Sequence, residues 1–125
     1  MQPTVVIVDD HAPFRRSARS LLELDGYVVV GEASEPLEAL AVVARLQPAI
    51  VVLDIALPGL SGFEVAERLA GGGSTIVLVS SRDSADLGPR VATCGAAGFI
   101  PKDELSGERL AGVLTGGAAG AGGRP

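Results

Sequence analysis

The chain has 125 residues, of which 47% are hydrophobic and 20% are charged, a balance typical of one globular domain and not of a disordered segment. The net charge of −5 disfavours binding of this domain to nucleic-acid phosphates. A single cysteine excludes an internal disulfide framework, and no apolar run approaches the roughly eighteen residues of a membrane span. Because the N-terminus is also unlike a signal peptide, we expect a cytoplasmic location without membrane contact.

Short apolar runs alternate with amphipathic segments along the chain. Runs rich in valine and isoleucine predict strands at residues 4–8, 27–30, 50–54, 76–79 and 98–100. The segments between them carry apolar residues at helical spacing. This alternation predicts an α/β domain in which helices cover both faces of a parallel sheet.

Helix starts and inward faces are predicted from caps and periodicity. Ser61 and Glu64 form a capping box that predicts the start of the third helix. Ser34 is the expected N-cap of the second helix, ahead of Pro36 in its first turn. Apolar residues at helical spacing define the expected inward faces of the first two helices: Phe14, Ala18, Leu21 and Leu22, then Leu37, Leu40, Ala41 and Ala44.

Pro89 limits where the fourth helix can begin, because proline in a helix interior breaks a hydrogen bond and clashes with the preceding turn. With Asp86 as N-cap, Pro89 falls within the first turn, where its missing N–H has no intrahelical partner. We therefore predict a helix from about Leu87 to Cys94, preceded by a mobile loop at residues 82–85.

The C-terminal residues 116–125 consist mainly of glycine and alanine. They offer no bulky apolar side chain for a core, so they are expected to form a flexible tail. The folded domain is accordingly assigned to residues 1–115.

Polar side chains follow four of the predicted strands. Asp9 and Asp10 follow the first strand, Asp54 ends the third, Ser80 follows the fourth, and Lys102 lies just past the fifth. Since parallel strands end at one edge of the sheet, these side chains are expected to share one site. Clustered carboxylates favour a hard cation such as Mg²⁺. A carboxylate, a cation and a lysine together suit phosphoryl transfer to Asp54.

In combination, four motifs resemble the receiver domain of bacterial two-component response regulators, and Asp9-Asp10-His11 together with residues 101–105 is similar to the NarL/FixJ (LuxR-type) group. The motifs are the acidic pair Asp9-Asp10, residues 53–62 around the central aspartate, Val79-Ser80-Ser81, and residues 98–102. The resemblance covers nearly all of residues 4–115. It implies a flavodoxin-like fold, a three-layer (βα)₅ sandwich with strand order 2-1-3-4-5.

The resemblance also implies roles for individual residues. Asp54 would accept a phosphoryl group from a sensor histidine kinase, and Ser80 and Lys102 would contact that group. Ser80 and Phe99 would form the conformational switch. The implied Mg²⁺ ligands are Asp9, Asp10, Asp54 and the backbone carbonyl of Ala56.

The expected output is regulatory. Apart from its own phosphorylation and dephosphorylation, no enzymatic activity is expected, and the domain would serve a transcription regulator. A homodimer through the fourth helix, fifth strand and fifth helix is one expected consequence. Two alternatives are a phosphorylation-independent interaction module and a phosphate-ester hydrolase. The intact acidic site disfavours the first, and Ala56, where such hydrolases carry a second acid, disfavours the second.

Several residues near the expected site have a simpler structural interpretation. His11 is expected to be a partly exposed residue at the start of a helix, although a general base is conceivable. Arg15 is expected on a solvated helix face, and Cys94 in the core. Arg82 could gate water or lie free in a loop. Lys102 is expected to pair with carboxylates near solvent, so its loss should change the melting temperature little.

Overall fold

A five-stranded parallel sheet organises the structure, a computed structural model that describes residues 2–81 and 88–115. The strands lie in the order β2-β1-β3-β4-β5, which confirms the predicted flavodoxin-like topology. The strands are β1 (Thr4–Val8), β2 (Val28–Ala33), β3 (Ile50–Asp54), β4 (Thr75–Ser80) and β5 (Gly98–Pro101). The helices are α1 (Ala12–Leu24), α2 (Pro36–Leu46), α3 (Gly62–Leu69), α4 (Gly88–Thr93) and α5 (Gly107–Leu114), and a 3₁₀ turn covers Lys102–Glu104.

Two apolar layers lie on opposite faces of the sheet. Helices α1 and α5 cover one layer, in which Leu22 and Leu110 are fully buried. Helices α2, α3 and α4 cover the other, which includes Phe63 and Cys94. Burial of Cys94 to 2% exposure agrees with the expected packing role of this thiol. The helices therefore enclose the sheet on both sides, as the alternating sequence predicts.

Strand β3 lies at the centre of the sheet, and all five of its residues are buried. It pairs with β1 on one side and with β4 on the other. Val8 faces Leu53 across the first pairing, and Asp54 faces Val79 across the second. The carboxyl ends of β1, β3 and β4 therefore lie side by side, which sets the position of the residues that follow them.

Helix α3 packs unusually close to the end of β3. The predicted capping box is present, since Ser61 and Glu64 each accept a backbone N–H of the other. The backbone N–H of Gly62 donates to the carbonyl of Ile55 at 2.7 Å. A Cβ at Gly62 would overlap the carbonyl oxygen of Asp54 and lie 2.6 Å from Ile55 Cα. Only glycine fits here without displacing the backbone that carries Asp54.

The start of α2 differs from the prediction. Glu35, not Ser34, is the N-cap, and its side chain accepts the N–H of Leu37 at 3.0 Å. The residue before a proline favours the extended conformation that an N-cap requires, and Glu35 precedes Pro36. Ser34 instead donates its N–H and hydroxyl to the side chain of Glu38.

The predicted inward face of α2 is also wrong. Leu37 is 69% exposed, and Ala41 and Ala44 are exposed, whereas Leu40 is half-buried. The apolar run of this helix has few polar residues to fix its rotation, and the bulkier valines take the core positions. The residues that α2 buries are Pro36, Ala39, Val42 and Val43.

Helix α1 buries Ala18 and Leu22 as predicted, with Phe14 half-buried, but Leu21 is 44% exposed. Consecutive residues of an α-helix point about 100° apart, so Leu21 and Leu22 face different sides, and only Leu22 points toward the sheet.

Strand β2 continues three residues past its predicted end and contains an irregularity. Val5 pairs with Val29, but Val6 pairs with Gly31, so Val30 is an extra residue in the ladder. Such a bulge reverses the alternation of side chains between the two faces. Val29 accordingly packs in the layer beneath α1, whereas Ala33 packs in the layer beneath α2.

The described part of α4 places Pro89 in its first turn, in agreement with the predicted position of the proline. The predicted cap Asp86, the loop at 82–85 with Arg82, and the tail at 116–125 lie outside the described residues. Within residues 2–81 and 88–115 no peptide bond is cis. None of the helices in these ranges is long and apolar enough to cross a membrane.

Candidate functional site

Four charged side chains converge where β1, β3 and β5 end. Lys102 Nζ lies 2.6 Å from Asp9 Oδ2 and 3.5 Å from Asp54 Oδ2. Asp10 contributes a carboxylate oxygen within 4.8 Å of oxygens from Asp9 and Asp54. The structure therefore brings together the carboxylates and the lysine that the strand ends predict.

Asp54 occupies an environment that disfavours its charge. It is 2% exposed, and its Oδ1 accepts the N–H of Ala56 at 3.2 Å. Burial, and then the neighbouring negative charge of Asp9, raise the pKa of the Asp54 carboxyl above its ordinary value. The Ala56 N–H and the positive charge of Lys102 oppose this rise without cancelling it. The site therefore favours binding of a cation beside Asp54.

Asp9 is the most enclosed carboxylate of the site, with no exposed surface. Its Oδ1 accepts the backbone N–H of His11 at 2.8 Å. Its Oδ2 contacts the Lys102 ammonium at 2.6 Å and has no further hydrogen-bond partner among the described residues. A buried carboxylate oxygen in this state can accept a metal-bound water or a metal ion.

Arg15 holds the backbone of the acidic pair. Its guanidinium donates to the carbonyl oxygen of Asp9 at 2.6 Å and to Glu32 Oε1 at 2.9 Å. Arg19 donates to the other oxygen of Glu32, also at 2.9 Å. The side chain of Arg15 is only 19% exposed, so the expected solvated position is wrong.

Sequence reasoning missed the contribution of Arg15 and Glu32 to the site. Arg15 and Arg19 lie four residues apart on one helix face, which is a signal for a shared partner. That partner could not be identified because Glu32 lies beyond the predicted end of β2.

The remaining predicted residues lie at the same edge or beside it. Ser80 ends β4, is 1% exposed, and pairs in the ladder with Pro101, next to Lys102. Phe99 is half-buried in β5 and packs against the layer beneath α2, α3 and α4. Ala56 lies two residues after Asp54 and is exposed.

The donor set fits a hard divalent cation. Asp9, Asp10, His11 and Asp54 each offer one ligand atom, and these atoms all lie within 4.8 Å of one another. Carboxylate oxygens, with room for water at the exposed Asp10, are what Mg²⁺ prefers. The buried Asp9 Oδ2, whose one contact among the described residues is the Lys102 ammonium, supports the same fit.

The surroundings of Lys102 change the expected effect of removing it. Its side chain is 17% exposed and its partners Asp9 and Asp54 are buried, so water screens these ion pairs less than it screens a surface pair. Lys102→Ala would leave buried negative charge uncompensated, and we expect a loss of about 1–3 kcal/mol in the free energy of unfolding without Mg²⁺. Urea denaturation in the presence of a chelator would measure this loss.

Arg109→Ala is a suitable control, because Arg109 pairs with Glu104 at 2.6 Å but both side chains are about half exposed. Such surface pairs contribute roughly 0–1 kcal/mol. Equal losses in the free energy of unfolding for Lys102→Ala and Arg109→Ala would contradict the expected difference between the buried and the exposed ion pair.

Comparisons with known proteins agree with this geometry. Residues 5–114 match the response regulator receiver domain family. A Pseudomonas aeruginosa protein named as a transcriptional regulator is 43% identical over 108 residues, 85% of this chain and 52% of that protein. The nitrate/nitrite response regulator protein NarP of Escherichia coli is 39% identical over 103 residues, 79% of this chain and 47% of NarP.

Among solved structures, the signal receiver domain of NarL from Mycobacterium tuberculosis superposes with a TM-score of 0.82 at 32% identity. The match covers 91% of this chain and 94% of that domain. The chain spans about half the length of the curated relatives it matches. A family match over almost the whole described chain, together with a shared fold, shows that the chain belongs to the response regulator receiver domain family.

Proposed function

We propose that this domain accepts a phosphoryl group on Asp54 from the phosphohistidine of a sensor histidine kinase, with Mg²⁺ as cofactor. The observation that carries the proposal is the pairing of a buried carboxylate, whose charge the protein disfavours, with Lys102 at 3.5 Å and two further carboxylates. A buried carboxylate with a raised pKa, surrounded by other charged side chains, is more typical of a functional site than of a strand end that has only a structural role.

In the proposed reaction an oxygen of Asp54 attacks the phosphorus, and the bond between phosphorus and the donor imidazole nitrogen breaks. Asp9, Asp10, Asp54 and the Ala56 carbonyl would hold Mg²⁺, which when bound neutralises charge on the phosphoryl oxygens. Lys102 would move from Asp9 toward the new phosphoryl oxygens and form charge-assisted hydrogen bonds with them. Ser80, at the end of the neighbouring strand, would donate its hydroxyl to the same group.

The proposed output is a change in partner binding. Withdrawal of Ser80 toward the phosphoryl group would free space for Phe99, and the face formed by α4, β5 and α5 would change its affinity for a partner or a second copy. Phosphorylation can shift the equilibrium between the two conformations of this face only as far as the phosphoryl group interacts more favourably with one conformation than with the other. Because relatives are named as transcription regulators, we propose that the domain regulates transcription as part of a longer chain.

Phosphorylation can be tested with a small-molecule phosphodonor and intact-protein mass spectrometry. Wild-type protein should gain one phosphoryl group with Mg²⁺ and none with a chelator. Asp54→Ala should gain none. Asp103→Ala, which removes an exposed carboxylate next to Lys102, should be labelled like the wild type.

Labelling of the Asp54→Ala variant would contradict the assignment of the acceptor. No labelling of the wild type in Mg²⁺ would favour a phosphorylation-independent interaction module, and continuous release of phosphate at a high rate would favour a hydrolase.

A further inference from the structure

His11 places a nitrogen atom against the acidic site. Its Nδ1 lies 3.2 Å from Asp10 Oδ1 and 3.3 Å from Asp9 Oδ1. His11 is the N-cap residue of α1, yet its side chain makes no capping hydrogen bond to the helix. The ring is 68% exposed, so packing does not force it into this position. The position of the imidazole is therefore explained by the carboxylates and not by the helix.

These distances suit ligands of one metal ion. Neighbouring ligands of an octahedral ion with bonds of about 2.1 Å lie about 3.0 Å apart. The separations of Nδ1 from the two carboxylate oxygens exceed this value by only a few tenths of an ångström. One ion can therefore contact the imidazole and both carboxylates after small movements of exposed side chains.

We propose that His11 is a nitrogen ligand of this site and makes it selective for divalent transition metals. Mg²⁺ takes oxygen ligands and gains little from an imidazole. Imidazole is a good ligand for Co²⁺, Ni²⁺ and Zn²⁺, whose affinities for nitrogen sites exceed that of Mn²⁺. The inference rests on the metal site of the proposed function. It adds that the imidazole of His11 supplements the carboxylate ligands when the bound ion is a transition metal.

Metal titration of the full, untagged chain tests the proposal. At one fixed pH, calorimetry would give the affinities of wild type, His11→Ala and His11→Gln for Mg²⁺ and for Co²⁺. In both variants the affinity for Co²⁺ should fall by about tenfold or more, and the affinity for Mg²⁺ should fall by much less. His11→Gln is the sharper variant, because its amide can still donate a hydrogen bond to the carboxylates but its nitrogen is not a metal ligand.

A spectroscopic readout identifies the ligand directly. His11 is the single histidine of the sequence, so paramagnetically shifted imidazole signals in the Co²⁺ protein can arise from this residue alone. We expect such signals in the wild type and none in either variant. Equal losses for Mg²⁺ and Co²⁺, wild-type Co²⁺ affinity in His11→Gln, or an unshifted imidazole would overturn the proposal. Each of these results leaves Mg²⁺-dependent labelling of Asp54 as a separate outcome, so failure of the two proposals can be distinguished.

Discussion

Gly62→Ala is expected to destabilise the domain more than a Gly→Ala substitution at any other helical glycine that the structure describes. The new Cβ would overlap the carbonyl oxygen of Asp54 and press on Ile55 Cα. Both partners are backbone atoms at the end of the central strand, so neither can move aside as a flexible side chain could. Overpacking usually costs 1–3 kcal/mol, and this rigid contact should cost about 3 kcal/mol or more.

Gly112→Ala provides a matched control, since Gly112 lies on the exposed side of α5 and a Cβ there meets no atom within 4 Å. That change should stabilise the domain by up to about 1 kcal/mol through helix propensity. Urea denaturation of both variants would measure the difference. Similar stabilities for the two would show that α3 can shift away from β3 at little cost. If the backbone of Asp54 moved instead of α3, Mg²⁺ affinity should also fall in Gly62→Ala, because Asp54 is a proposed metal ligand.

Asp54→Asn should make the domain more stable at neutral pH while removing the proposed phosphoacceptor. Burial and the charge of Asp9 raise the pKa of Asp54, which means that the folded state disfavours the carboxylate relative to the unfolded chain. A neutral amide of the same shape removes this penalty. We expect a gain on the order of 1 kcal/mol, or roughly 4 °C in melting temperature.

The gain should depend on pH in a defined direction. A carboxyl whose folded-state pKa is raised contributes stability below its unfolded pKa, and this contribution is lost as pH rises through the folded pKa. The advantage of Asp54→Asn should therefore be largest above the folded pKa and shrink toward acid, below the ordinary value of 3.8. Thermal melts across this range would test it. An advantage that grew toward low pH would contradict the raised pKa.

Added Mg²⁺ should reduce the difference between the two proteins, because a ligand that binds only the folded state stabilises it. The wild type offers the complete set of carboxylates and should gain more than the Asn variant. A larger Mg²⁺ effect on Asp54→Asn would argue against Asp54 as a metal ligand.

The strand ends could be predicted from sequence because a parallel sheet imposes strong geometry. Buried strands are continuous apolar runs, and a carboxylate such as Asp54 can end one only where the sheet meets the surface. Once the strands are parallel, Asp9, Ser80 and Lys102 must reach the same edge.

Other features depend on packing that the local sequence does not specify. The run from Leu37 to Val43 is apolar on every side apart from Glu38, so its inward face is set by how valines fit the sheet. The end of β2 was missed because glycine and glutamate are poor strand formers, whereas pairing with β1 holds them there. The partial burial of Lys102 follows from the depth of Asp9, which sequence alone does not reveal.

The extra residue in β2 makes the chain tolerant of a change in length at one position. Val30 is 38% exposed, so many replacements of its side chain should be tolerated. Loss of the residue would leave the pairs Val5–Val29 and Val6–Gly31 next to each other in a regular ladder, so residues 31–33 would keep their present facing. Glu32 would still reach Arg15 and Arg19, and the carbonyl of Asp9 would keep its hydrogen bond from Arg15. Position 30 should therefore vary in residue type among functional variants and also tolerate deletion.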